Sequence, residues 1–546
     1  MARPFLAGVR WPLAPFFAAL ALAGCGSDSS GPGKPRYAVG GTLAGLLAGK
    51  SVALENNGAD GTTLSGNGPF TFAATLTDGT GYDVRVATQP AGMFCGVTNG
   101  SGTLAGADVT DVAVDCAAVT TALDTTFGAG HDGLAFFDRG DNLDDSGNEV
   151  ALDGTGRIVV VGHSRNAATG ALELALWRLT AAGALDGGFG TGGQAFHPGE
   201  VVADTLLPEV VGTSVVIDGS GRIVAAGYDI DAHGIWGVAV WRFLADGTPD
   251  NSFGTNGLAR LTSPQAGGVG VALDGSGRIV VSGFAWNGFD WDAAVWRFTT
   301  AGIPDSSFDG DGLVTANYSA GSGVATGEDI GVGIAVDGSD RIVMAGYSSN
   351  AAGNQDMTVW RFNTDGSPDN GFNGTGRMTH DNAAGGGGND VGRTVAFHNG
   401  AILVSGWSPS TAGGDDAAVW RITSTGSLDP TFNGTGYATV GGSAGGNGTD
   451  TGRDVIVDGA GRVYLVGESA NGAGNQDMVI WRFTSGGILD GLFNGSGVLV
   501  HGQAAGGSGN DGARGVVLDG SGRLVVAGRS VSGAGTQDVT VWRVEP

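Results

Sequence analysis

The sequence predicts an all-β fold: a seven-bladed β-propeller of four-stranded blades, its last blade closed by an N-terminal strand, preceded by a small β-sandwich. Three observations point there. First, 106 of the 546 residues are glycine, and the acids divide into 46 Asp against 8 Glu, with only two lysines, Lys34 and Lys50. Good helix formers are scarce while turn and strand formers abound, which opposes a helical bundle or an α/β enzyme. Second, the dipeptide Trp-Arg recurs at Trp177, Trp241, Trp296, Trp360, Trp420, Trp481 and Trp542, at intervals of 55 to 64 residues. Third, each unit carries a tight turn between two apolar runs, at Asp153, Asp218, Asp274, Asp337, Asp458 and Asp519, which degenerates to His398-Asn-Gly in the fifth unit. Asp-Gly-x-Gly is hairpin chemistry, because glycine tolerates the positive φ such turns demand.

In chain order, residues 1–25 read as a lipoprotein signal peptide. Arg3 and Arg10 precede a short apolar run from Leu13 to Ala23, which ends in Leu22-Ala23-Gly24-Cys25. That run is too short for a comfortable permanent span. The ending is similar to the bacterial lipobox, which implies lipidation of Cys25 and an anchor in the envelope, with outer-membrane sorting implied by Gly26. Residues 26–36 form a flexible tether. Residues 37–118 alternate short strands with Gly, Asn and Asp turns, the pattern of an Ig-like or prealbumin-like β-sandwich. With Cys25 lipidated, Cys95 and Cys116 are left as an even pair in an oxidising compartment, and a disulfide between them is expected.

Residues 119–546 make the propeller. A second anchor, Asp-x-x-Phe, falls at Phe127, Phe189, Phe253, Phe308, Phe372, Phe432 and Phe493, and six times it lies 12 residues after the Trp. The array begins with a Phe that has no preceding Trp and ends with a Trp that has no following Phe. That is the signature of a seam: if the fixed link joins strands C and D of one blade, the segment after Phe127 supplies strand D of the last blade and removes two exposed edges. Deleting 119–140 should then destabilise the whole circle. The A–B turns and C–D links are uniform, whereas the Phe-to-Trp segments vary from 43 to 52 residues. Variation therefore gathers in the B–C and D–A loops, which share one face. Loops that vary on a rigid scaffold are where binding usually resides.

The Leu/Pro-Asp-x-x-Phe, Asp-Gly-x-Gly-Arg and Trp-Arg elements make 123–546 resemble the delta-60-repeat β-propeller family of bacterial secreted proteins. That resemblance implies the fold and no catalytic residues.

Candidate binding residues come from comparing the units with one another. Directly after the glycine of strand B stand His163, Tyr228, Phe284, Tyr347, Trp407, Glu468 and Arg529. Framework positions around them hardly change. This set suits stacking on sugars or gripping a peptide at the channel mouth; as framework it would be a tolerant strand end. Asp329, Asp390, Asp450 and Asp511 precede A strands, and are read as loop caps, with Ca²⁺ binding as the alternative. Arg393, Arg453 and Arg514 either pair with the last three of these or point at the channel, and pairing is the expectation. In Trp-Arg, the Trp is expected between blades and the Arg on the Asp of Asp-x-x-Phe.

No zinc spacing, serine elbow, phosphate loop or arginine cluster suited to a carboxylated sugar is legible, and no cofactor is expected beyond that calcium alternative. A net charge of −27 opposes nucleic acid as a partner. The expectation is a monomeric, non-catalytic, lipid-anchored envelope protein, bound to the membrane by its anchor alone. It would bind a glycan, a peptide or an envelope protein through the B–C/D–A face. The alternative is a carbohydrate-active hydrolase or lyase with paired Asp/Glu there.

Overall fold

The computed structural model describes residues 34–90, 93–118, 123–140, 143–197, 209–231, 233–262, 265–317 and 327–546. The signal segment with Cys25, and most of the tether, lie outside them. The described elements are all strands. Two compact units emerge. One comprises the described residues up to Ala44 together with Ser51–Thr88 and Val97–Asp115; the other holds Gly45–Lys50, Gln89–Gly96 and Cys116–Pro546.

In the N-terminal part, Val39–Ala44 pairs antiparallel with Gly68–Thr71 and parallel with Val109–Ala118, and Met93–Thr98 completes that four-stranded sheet. A second four-stranded sheet has the order Asp60–Leu64, Val52–Asn56, Gly81–Thr88, Ser101–Thr103. Alternation puts Val39, Leu43, Val52, Leu54, Val112 and Val114 inside. Cys95 and Cys116 form the expected disulfide.

In the larger unit the described strands form seven four-stranded sheets. In the first, strand A is Asp145–Leu152, B is Ile158–Arg165, C is Leu172–Leu179 and D is Gln194–His197, all antiparallel. The second blade is joined to it by one bridge, Leu172 to Glu209. Successive A strands pack side by side, and the A strand of the seventh blade, Gly506–Leu518, packs against that of the first. The circle is therefore closed. Its seam is the expected one: Leu134–Phe137 pairs with Gln537–Val544 as the outer strand of the last blade, Leu134 opposite Trp542.

The three sequence anchors form one device. The Asp153 carboxylate accepts from the N–H groups of Thr155 and Arg157 (2.9 and 3.0 Å) and receives the Arg157 Nε at 2.6 Å, which fixes the A–B turn. Arg178, next to Trp177, donates from Nε to Asp186 of Asp-x-x-Phe at 2.9 Å. The same Arg178 lies 4.6 Å over the Phe189 ring and donates to the Ala245 carbonyl of the following blade. The Arg–Asp pair recurs in all seven blades, and at the seam it joins Arg543 to Asp124 at 2.6 Å. Each Trp is buried between neighbouring blades; Trp177, for instance, packs with Val525, Val539 and Val541 of the seventh.

Candidate binding site at the channel mouth

The A strands surround a central channel, and how they do so decides which side chains reach it. Each A strand approaches strand B of the blade before so closely that a Cβ on Gly452 would stand 2.8 Å from the Gly406 carbonyl oxygen. Just past this glycine, or past its counterpart Ala513 in the seventh blade, every A strand carries a bulge. In the first blade Gly147 pairs with Gly162 but Glu149 with Val161, leaving Asn148 extra. The other bulges fall at Thr213, Val269, Val332, Arg453 and Arg514, and at Arg393–Thr394 in the fifth blade. A bulge re-aims a side chain. Here it sends this residue inward, and all seven line a cavity of about 480 Å³.

That ring of bulge residues is asymmetric: Asn148 and Thr213 are polar, Val269 and Val332 apolar, Arg393, Arg453 and Arg514 cationic. The arginines do not pair with Asp390, Asp450 and Asp511 as expected, because the bulge turns them away from the loops and into the channel. The expected lack of an arginine cluster is likewise corrected: Arg529 joins these three on the cavity wall. Spacing along the chain hid the cluster, since Arg393, Arg453 and Arg514 are roughly 60 residues apart. Comparing the units at the position after the A-strand glycine would have exposed it.

The seven residues after the B-strand glycine occupy one register, opposite Ser146, Val211, Gly267, Ile330, Val391, Thr451 and Gly512. They fall into two groups. His163, Tyr228 and Arg529 line the cavity directly. Trp407 lies beneath two guanidiniums, Arg453 at 5.4 Å and Arg393 at 5.8 Å from its centroid. Glu468 is buried and accepts from Arg453 Nε at 3.1 Å, with Arg514 at 3.9 Å. Burial, then the charge of Glu328, push the Tyr347 hydroxyl pKa up against the charge of Arg393. Tyr228 and Phe284 belong to an aromatic run across the second and third blades. Tyr228 stacks on Trp236 at 4.9 Å, Trp236 lies 6.0 Å from Phe284, Phe284 5.0 Å from Trp291, and Trp291 5.2 Å from Trp286. Trp286 is exposed, as is Phe289 in the adjoining B–C loop. Trp236, Trp286 and Trp291 were missed because each occurs in one blade only, away from the compared position.

Electrostatics follow from enclosure. Burial, then the charge of Arg453, brings Arg393 down to about 10 and Arg514 down to about 9. Both remain cations at neutral pH. Glu468 resists burial because Arg453, Arg514 and Arg529 hold it below the usual carboxylate range. Burial, then the charges of Arg529, Arg165 and Arg514, take His163 down to about 4, so its imidazole is neutral. One layer deeper, burial raises Asp454 to about 6, and burial together with the Asp454 charge pushes Glu149 well up. Asp454 accepts from the N–H groups of Val455 and Val516, both at 2.8 Å, and Glu149 from that of Val150 at 2.8 Å.

The acids ahead of the A strands cap loops. Asp390 accepts from the N–H groups of Asn382 and Ala383 (2.8 and 3.2 Å), Asp450 from Gly442 (2.8 Å), Asp511 from Gln503 and Ala504 (2.7 and 3.3 Å), and Asp329 from the Ser348 hydroxyl. Each thus spends at least one carboxylate oxygen on the fold. Among the described residues no group of three or more His, Cys, Asp or Glu is placed to hold a metal ion.

The family described as "Domain of unknown function (DUF5122) beta-propeller" matches four segments, 154–189, 219–253, 338–372 and 399–432. Each runs from an A–B turn to the Phe anchor, so the match follows the structural repeat. No curated protein sequence matches the chain. Among solved structures, the polysaccharide lyase Uly1 is 10% identical over 77% of this chain and 93% of its own, with a TM-score of 0.43. The arabinanase Arb43A of Bacillus subtilis is 13% identical over 60% and 92%, TM-score 0.30. The extracellular domain of the hybrid two-component system BT4673 from B. thetaiotaomicron is 10% identical over 74% of this chain, which spans 39% of that domain, with a TM-score of 0.38. Likeness at this level says nothing of what the present chain binds.

Proposed function

We propose that this protein is a non-catalytic saccharide-binding propeller of the bacterial cell envelope, held there by lipid on Cys25. In this reading the ligand lies across the B–C/D–A face over the channel mouth. The observation that carries it is the run of five aromatic rings from Tyr228 to Trp286 beside the mouth. Flat rings at a polar opening suit the apolar faces of sugars better than the side chains of a folded partner. Binding of an oligosaccharide panel by the purified protein tests it. Trp236→Ala and Trp291→Ala should each weaken binding about tenfold or more, the scale of one lost aromatic contact at a binding centre. Unchanged binding in both would remove the proposal. Loss of lipid labelling in Cys25→Ser would support the anchor.

The rival reading, a hydrolase or lyase, draws on Glu149 and Asp454, two acids at the cavity whose raised pKa values suit proton transfer. Both, however, spend oxygens on backbone N–H groups: Glu149 on that of Val150, and Asp454 on those of Val455 and of Val516 in the next blade. Polysaccharide cleavage by the wild type that disappears in Asp454→Asn would favour it.

A further inference from the structure

Resting on the saccharide reading, we infer that the ligand is an acidic saccharide whose carboxylate or sulfate group enters the channel and is bound by Arg393, Arg453, Arg514 and Arg529. Four guanidiniums converge on one cavity in a chain whose net charge is −27. Three of them are placed there by the same backbone device, the A-strand bulge, which in the first four blades presents only Asn148, Thr213, Val269 and Val332. The repeat therefore does not require arginine at that position, and a fold gains nothing from crowding like charges in a partly enclosed space.

The cations are also undersupplied with partners. Glu468 takes Arg453 and lies 3.9 Å from Arg514, while the buried Nε atoms of Arg514 and Arg529 have no hydrogen-bond acceptor. A buried donor left unpaired is destabilising, and an anion reaching the channel would supply the missing acceptor. Arg453 and Arg514 keep 18% of their side-chain surface exposed, so a ligand entering the channel can reach them. The carboxyls at the same cavity do not balance the arginines. Glu468 is ionised, Asp454 is ionised above about 6, and Glu149 is pushed toward its neutral form. The four arginines outnumber the three carboxyls, and burial, which raises Asp454 and Glu149, widens that excess.

Carboxylate and sulfate both match the planar guanidinium fork, which accepts two oxygens of an anion side by side. A saccharide satisfies both walls of the mouth at once: a sugar face on the aromatic run of the second and third blades, a charged substituent on the cationic wall of the fifth to seventh. The strongly negative protein as a whole repels a long, densely charged polyanion such as nucleic acid, which favours a ligand with spaced charges.

The test measures affinity of the full-length protein for oligogalacturonate, for a sulfated galactan oligomer, and for the carboxyl-reduced counterpart of the first. Poly-aspartate is the peptide control. At least one acidic sugar should bind about tenfold or more above the neutral one, a preference that shrinks as salt rises from ~0.05 to ~0.5 M. Which acidic sugar prevails distinguishes carboxylate from sulfate. The double variant Arg393→Gln/Arg514→Gln should lose the preference while keeping affinity for the neutral sugar. Glu468→Gln removes a carboxylate competing for the same arginines and should tighten acidic binding several-fold, a gain that misfolding cannot mimic. Equal binding of acidic and neutral sugars overturns the inference and leaves the saccharide reading standing. So does an acidic preference that survives the double variant. Tight poly-aspartate binding with no sugar bound overturns both.

Discussion

At the residue scale, the stability of the circle rests on one arginine used seven times. Each such guanidinium satisfies the Asp of its own blade, and most also cover the Phe ring of that blade and reach a carbonyl of the next. A lysine would not do this, having neither the planar fork nor the stacking face. The seam copy is the most exposed to test because its partners are about 400 residues apart in sequence. Asp124 accepts from Arg523 at 2.8 Å and Arg543 at 2.6 Å. Burial opposes its ionisation, but hydrogen bonds from Thr126 and the charge of Arg543 outweigh burial and hold the carboxyl down to about 2. A carboxyl whose pKa is lower folded than unfolded stabilises fully above its unfolded value and loses that contribution as pH falls through the folded one. Thermal melts should therefore show Asp124→Asn a few degrees below wild type at pH 7. The two curves should converge between about pH 4 and pH 2. Parallel curves over that window would mean the pair contributes nothing to closure.

At the element scale, the turn between strands C and D explains the invariant 12-residue link. Gly302 sits at φ +79°, and a Cβ there would stand 2.8 Å from the Phe253 ring of the preceding blade. Both the backbone and the neighbour exclude a side chain, so Gly302→Ala should cost about 1–3 kcal/mol in a denaturant melt. Gly219 in an A–B turn has nothing within 4 Å of a built Cβ, and Gly219→Ala should stay within about 0.5 kcal/mol. Equal effects would refute the interlocking of blades through that turn. The contrast also explains what the sequence could reveal. Trp-Arg, Asp-x-x-Phe and Asp-Gly-x-Gly do the same work in every blade, so repetition made them visible, and the seam followed from one missing interval. The A-strand bulge was not visible, because a single inserted residue reverses which side chains face inward without leaving any mark in a period-two reading. Arg393, Arg453 and Arg514 were thus assigned to the loops when they belong to the channel. The mouth residues were found because they differ among units, yet their division into a cationic and an aromatic group needed the spatial order of the blades.

At the scale of the whole molecule, near-identical blades carry a candidate site that is not symmetric. Blades two and three supply stacking surface, blades five to seven supply charge, and the first contributes a neutral His163 and Asn148. A closed circle makes such a division possible, since elements distant in sequence meet at one axis and each blade can change its two inward residues without disturbing its latch. The central claim is that the mouth on the B–C/D–A face is where a sugar binds. A crystal structure of the protein soaked with oligogalacturonate tests it most directly. The account predicts a sugar ring against Trp236 or Trp291, with an acidic group in hydrogen-bond contact with Arg393 or Arg514. Sugar seated on the A–B/C–D face, or on a blade flank with the channel left to water, would contradict it.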